Sequence, residues 1–208
     1  MILRMMACAL LVAVIAAATF ATADAQVGQY RDLDARYNLD RRYNDNTANP
    51  FAWLFGSRPS SSPIPRATVA FAGPYRPGTI VINTAERRLY LVTAPGEALR
   101  YGIGVGRIGF TWAGTTAISA KREWPDWTPP DQMLHRRPDL PRHMAGGIAN
   151  PLGARAMYLG SSLFRIHGSN EPETIGQAVS SGCFRMTNED AIDLYDRVAV
   201  GTKVVVVR

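Results

Sequence analysis

Cysteine is almost missing from this chain: Cys8 sits in an apolar run at the N-terminus and Cys183 stands alone near the C-terminal end. Should the leader be removed, one thiol is left, and no internal disulfide can form. Histidine is nearly as scarce. His135 and His143 carry neither a His-x-x-x-His nor a His-Glu-x-x-His spacing, and no further cysteine stands near them, so no metal site is expected. Only 19% of residues are charged, yet basic residues outnumber acidic ones 23 to 17, for a net charge of +6 and a pI near 9.7. A basic balance can serve nucleic acid. No helix-turn-helix, zinc-finger or aromatic-glycine RNA-binding signature accompanies it, so nucleic acid is not the expected partner and an anionic envelope polymer or membrane surface is.

Glycine and proline are plentiful, 18 and 14 residues, which favours short strands and many turns over long helices. The chain length of 208 residues suits one domain with extensions. No internal repeat and no recognisable accessory binding module stands out.

The N-terminus reads as an export signal. Met1-Ile2-Leu3-Arg4 is a short positive start, Met5 to Phe20 is almost wholly apolar, and Ala23-Asp24-Ala25 offers small residues around a cut. The apolar run is short for a membrane span, which needs about 20 residues. Residues 1–25 are therefore expected to be a signal peptide, and residues 26–76 a low-complexity tether or packing arm. Tyr30 to Asn46 lacks apolar periodicity, Ser57 to Pro65 is rich in Ser and Pro, and Phe51 to Phe55 interrupts them as an arm or partner contact. An unpaired cysteine in an exported, oxidising setting is a candidate reactive thiol.

From Gly78 onward the pattern turns to strands. Thr79–Ile82 and Arg88–Val92 flank a turn at 83–86, Tyr101–Val105 reads as a third strand and Thr115–Ala120 as a fourth. Gly104, Gly106 and Gly109 match the dinucleotide-binding spacing, but Phe110 to Gly114 offers no helix behind them, so no nicotinamide or flavin is expected. Trp124 to Pro141 is expected to be a loop whose Trp124 and Trp127 line a groove. Ala156–Leu159 and Leu163–Ile166 are expected strands, the second delivering His167 to a strand end. Thr187 with Asp190 signals a helix through Val198 that buries Ile192, Leu194, Tyr195 and Val198. Lys203–Val207 closes the chain as a strand buried on both faces. The expected class is mainly β, with one clear helix after Cys183.

The chemistry concentrates in 167–186. His167 lies sixteen residues ahead of Cys183, and an imidazole can take a thiol's proton and hold it. Such a pair would rest as thiolate and imidazolium, with the thiol below the ~8.5 of a free cysteine. Ser180-Ser181-Gly182 reads as a tight turn whose N–H groups could hold an oxyanion. No Asp or Glu stands ready to orient the imidazole, which leaves the Gly168 carbonyl or the Ser169 hydroxyl.

His167-Gly168-Ser169, then Ser180-Ser181-Gly182-Cys183-Phe184-Arg185, together with Ile175-Gly176 and Met186 to Asp190, resemble the signature of the L,D-transpeptidase catalytic domain, over roughly 77–208. Many members carry a second histidine before the Gly-Cys pair, where this chain has Ser181. The resemblance implies a β-rich domain and a catalytic Cys183 with His167 beside Gly168 and Ser169. It further implies an oxyanion turn at Ser181 and Gly182, and no cofactor. Arg185 would brace the turn or meet a substrate carboxylate. Peptidoglycan stem tetrapeptides would be the donors, in the periplasm or cell envelope. The acceptor could be a second stem, giving 3–3 cross-links, an outer-membrane protein, or water, and the protein is expected to be a monomer. A silent envelope-binding protein built on the same groove is the alternative.

Overall fold

The computed structural model describes residues 62–208. The expected signal peptide, most of the 26–76 segment and the Phe51–Phe55 patch lie outside the described residues. Eleven strands and two α-helices follow in chain order: β1 Ala67–Ala70, β2 Ile80–Asn83, β3 Arg88–Ala94, β4 Glu97–Gly102, β5 Val105–Gly106, β6 Gly114–Glu123, α1 Asp131–Arg136, β7 Arg155–Leu159, β8 Arg165–His167, β9 Ala178–Ser180, β10 Phe184–Arg185, α2 Asn188–Arg197 and β11 Lys203–Val207. Nine strands form one sheet, ordered β1-β4-β3-β2-β11-β6-β7-β8-β10, and β5 pairs with β9 apart from it. The class is mainly β, as expected, with α2 the one substantial helix after Cys183.

The β2–β3 hairpin shows how the pattern sets the register. Ile80 pairs with Leu91 and Ile82 with Leu89, and all four are buried, so a one-residue slip would turn them to solvent. Asn83 opens the turn by accepting the Glu86 N–H at 3.0 Å. β11, the last strand, enters the middle of the sheet, parallel to β2 and antiparallel to β6. It is not buried on both faces: Val204 and Val206 are enclosed, whereas Lys203 is exposed and Val205 and Val207 are half-buried. β6 serves two neighbours in turn. Residues 114–117 pair with β11 and residues 118–123 with β7, and the register shift between Ile118 and Ala120 falls where one partner gives way to the other. A bulge bends and twists a strand at such a point, and beyond it Met157, Leu159, Ile166 and Phe184 share one core with the β2–β3 hairpin.

The sheet begins ahead of the expected domain start at residue 77. β1 lies within the stretch assigned to a tether and pairs with β4 from Ala67↔Arg100 to Ala70↔Glu97. Ile64 fills the space above Gly102, where an added Cβ would lie 2.5 Å from its own Cβ. Arg66 reaches α2, 3.0 Å from Asp193 and 3.6 Å from Asp190. Tyr101–Val105 is not one strand either: β4 stops at Gly102, Ile103 is buried, and β5 starts a separate sheet. No helix opens after Gly109. The Gly106 position instead permits close approach, since a Cβ there would lie 2.8 Å from the Phe110 carbonyl oxygen and 3.1 Å from Gly182 Cα.

α2 follows from its caps. Thr187 Oγ1 accepts the Asp190 N–H at 3.3 Å, and Ala191, Ile192, Leu194 and Val198 are buried. Tyr195 is half-buried beneath Lys121, whose Nζ lies 3.9 Å from the ring centroid. That ammonium donates to the Tyr195 and Val198 carbonyls at 2.6 Å each, placing positive charge where the helix leaves carbonyls unpaired. The helix packs on β7 and β8 and so fixes the strands that carry the site.

Candidate active site

Two short strands set the site by their period of two. β8 and β10 run parallel, with Phe184 opposite Ile166 and Arg185 opposite His167. Ile166 and Phe184 face the core, so Arg165, His167, Cys183 and Arg185 fall on the opposite face. All four line one cleft of about 810 Å3. Its walls come from Phe110 and Trp112, from Trp127 and α1, and from the 163–171 segment.

The imidazole is held from behind. His167 Nδ1 lies 2.6 Å from the Gly168 carbonyl oxygen. A carbonyl only accepts, so the proton belongs on Nδ1 and Nε2 keeps a lone pair. Of the two orienters the sequence offered, the Gly168 carbonyl fills the role. The Ser169 hydroxyl accepts the Glu171 N–H at 3.0 Å instead and closes the turn. His167 is 4% exposed. Burial lowers its pKa to about 3, against the opposing Gly168 hydrogen bond and with further lowering from Arg185 and Arg165.

Burial also raises the Cys183 thiol above its ordinary value, outweighing the Arg165 charge, the Arg165 backbone and the Arg185 charge, which pull it down. Burial therefore works against the expected thiolate–imidazolium pair. Desolvation disfavours both charges at once and so favours the neutral thiol and the neutral imidazole. Cys183 Sγ lies 3.8 Å from the Leu163 carbonyl oxygen, a weak acceptor contact that suits a protonated thiol.

The turn ahead of the thiol is braced. Ser180 Oγ donates to the Cys183 carbonyl at 2.6 Å and accepts the Gly182 N–H at 3.2 Å. Gly182 has φ 111°, and a Cβ there would meet Phe164 Cε1 at 2.5 Å, so no other residue fits unstrained. Trp112 stacks on Phe164 with ring centroids 5.0 Å apart, and its indole N–H donates to the Gly182 carbonyl at 3.3 Å. Ser181 lines the cleft. Arg185's guanidinium donates to Glu171 Oε2 at 2.8 Å, tying β10 to the segment that follows His167.

The two tryptophans part company. Trp127 lines the cleft. Trp124 is 2% exposed, has φ 40° and does not reach the cleft; its N–H donates to the Ala154 carbonyl at 2.8 Å. The segment between them and β7 is tied down by Asn150, whose amide nitrogen donates to the Pro125, Met144 and Ala145 carbonyls. Within the expected loop, Asp131–Arg136 forms α1.

The sequence reading missed Arg165, Glu171, Trp112 and Asn188. Arg165 was legible, two residues ahead of His167 on a strand. Asn188 was not, because its role is tertiary: Oδ1 accepts the Ala154 N–H at 2.9 Å, and a Cβ on Gly168 would come within 2.3 Å of it. Among the described residues no cluster of His, Cys, Asp or Glu could hold a metal, and no helix is long and apolar enough to cross a membrane.

Residues 77–206 match the family model for the L,D-transpeptidase catalytic domain. A probable L,D-transpeptidase, ErfK/SrfK of Escherichia coli K12, is 37% identical over 137 residues, covering 62% of this chain and 43% of its own. The chain thus spans less than half of that relative's length. A solved structure from Brucella melitensis, called a probable carnitine operon oxidoreductase, is 51% identical; the match covers 68% of this chain and 92% of that one, with a TM-score of 0.47. An L,D-transpeptidase from Mycobacterium smegmatis shares the fold at 21% identity and a TM-score of 0.50, covering 62% of this chain and 58% of its own.

Proposed function

This chain belongs to the L,D-transpeptidase catalytic domain family, and on that premise we propose that it is an exported enzyme transferring an acyl group from a peptidoglycan stem tetrapeptide to an amine. One observation carries the reading. A lone thiol and an imidazole oriented by its neighbour's carbonyl share one cleft beside a braced glycine turn.

Because both partners rest neutral, proton transfer accompanies attack. Cys183 Sγ bonds to the donor carbonyl carbon while its proton passes to His167 Nε2. Gly182's N–H is already given to Ser180 Oγ, so the oxyanion falls to the N–H groups of Ser181 and Cys183. The C–N bond then breaks, the leaving amine takes the proton from His167, and a thioester remains. An acceptor amine reverses the sequence: it attacks the thioester, gives its proton to His167, and Cys183 leaves as the thiol.

The donor is a stem ending in meso-diaminopimelate and D-Ala, and the acceptor is an amine of a second stem or of an envelope protein. The apolar leader ending at Ala25 supports export to the periplasm. The test is incubation with purified disaccharide-tetrapeptide. Release of D-Ala with 3–3 dimers, abolished by Cys183→Ala, supports the reading; D-Ala release alone makes the enzyme an L,D-carboxypeptidase. If a folded wild type releases nothing, a silent envelope-binding protein stands in its place.

A further inference from the structure

Besides the thiol and the imidazole, the cleft holds arginines, and one of them stands in register with the thiol. Arg165 stands two residues before His167 on β8, and extending the β8–β10 register by one step sets it opposite Cys183. Both residues line the cleft. Of the other cations there, Arg185 donates to Glu171 at 2.8 Å and Arg137 to Asp139 at 2.6 Å, whereas Arg136 sits on α1, 5.5 Å from the Phe110 ring centroid and outside the β8–β10 register that carries Cys183. Arg165 has no carboxylate partner among the described residues. Its guanidinium is supported by the Tyr158 ring 5.3 Å away, and its Nε is buried without a hydrogen-bond partner. A half-buried guanidinium resting on an aromatic face keeps its donor fork free for an anion. Its desolvation is offset only when one arrives.

The chemistry of the donor says which anion can reach it. In a peptide cut at its last bond, only the amide nitrogen and one Cα separate the attacked carbonyl from the terminal carboxylate. The two carbons therefore lie within about 4 Å of each other. A group that binds this carboxylate must be an immediate neighbour of the nucleophile. Arg165 meets that condition through its register with Cys183.

We propose that Arg165 binds the terminal carboxylate of the donor peptide and thereby restricts the enzyme to the last peptide bond of the stem. The proposal rests on the transpeptidase reading above and adds the residue that selects the bond. A neutral terminus would leave Arg165 unpaired, as would a longer peptide whose next residue carries no charge at that point, so both are poor donors.

Binding to the Cys183→Ala protein, measured calorimetrically, separates the outcomes without turnover. Three tetrapeptides are compared: one with both carboxylates free, one amidated at the C-terminus, and one amidated only on the diaminopimelate side chain. The free acid should bind about 10- to 100-fold more tightly than the C-terminal amide, the range expected for one hydrogen-bonded charge pair. The side-chain amide should bind like the free acid. Adding Arg165→Gln should erase the preference, and Arg165→Lys should keep part of it. Equal binding of acid and terminal amide, a preference that survives Arg165→Gln, or one that follows the side-chain carboxylate overturns the proposal and leaves the transpeptidase reading standing. Failure to bind any of the three overturns both.

Discussion

The neutral imidazole at the centre of the site makes a thermodynamic prediction that needs no substrate. An unfolded histidine titrates near 6.5, whereas burial holds His167 at about 3 in the folded protein. Between those values the unfolded chain binds the proton and the folded one does not, so stability falls as pH falls. Each pH unit is worth about 1.4 kcal/mol, so this residue should cost about 2 kcal/mol between pH 7 and pH 5. Asp190 works in the opposite sense. Burial, outweighing Arg66, raises its carboxyl to about 6, so the folded state takes up that proton first and gains about 1.3 kcal/mol over the same interval. The wild type should therefore look nearly flat, and only a comparison exposes the histidine. His167→Gln keeps a side chain able to donate to the Gly168 carbonyl but cannot titrate. Urea unfolding at pH 7, 6 and 5 should show the variant gaining on the wild type by about 2 kcal/mol toward pH 5. Parallel curves would mean that the imidazole charges freely in the folded protein, and the neutral-pair mechanism would fall with it.

Three further perturbations test other parts of the account. Asp190→Asn should stabilise the protein by about 2 kcal/mol at pH 7, after the helix N-terminus gives back about 0.3–1 kcal/mol for the lost anion, and by no more than about 0.5 kcal/mol at pH 4; destabilisation at both pH values in urea titrations would make Asp190 a needed cap instead. Gly182→Ala should cost about 1–3 kcal/mol through its positive φ and its clash with Phe164, and should lower kcat far more than KM because the oxyanion turn moves, whereas unchanged kinetics would remove that turn from the chemistry. A chain beginning at Tyr75 should lose at least about 3 kcal/mol relative to one beginning at Ser62, because it gives up Ile64, the β1 ladder and the Arg66 pairs to α2; equal melting temperatures would return β1 to the tether.

How far the sequence could be read depended on how local each feature is. The His-Gly-Ser turn, the Gly-Cys turn and the Thr187 cap each lie within a few residues and answer to chemistry that a short window contains. The hairpin of Ile80–Asn83 and Arg88–Ala94 was legible because its alternation and its turn agree. β1 was not, since four small residues beside a Ser/Pro run acquire meaning only through β4, some thirty residues on. Trp124 and Trp127 look alike as letters. Their fates diverge because the positive φ at Trp124 and the Asn150 bonds orient the segment from outside it. The electrostatics of Cys183 and His167 were the least legible, because ionisation follows from burial and burial belongs to the whole fold.

Everything proposed for this site turns on whether a stem peptide acylates Cys183 with His167 as the base. The measurement that tests it most directly is intact mass of the full chain after rapid quenching with disaccharide-tetrapeptide. The wild type should carry a thioester adduct of the disaccharide-tripeptide acyl group on Cys183, formed with loss of one D-Ala, absent in Cys183→Ala and strongly slowed in His167→Gln. A folded wild type that stays unmodified, or an adduct that persists in Cys183→Ala, would contradict it.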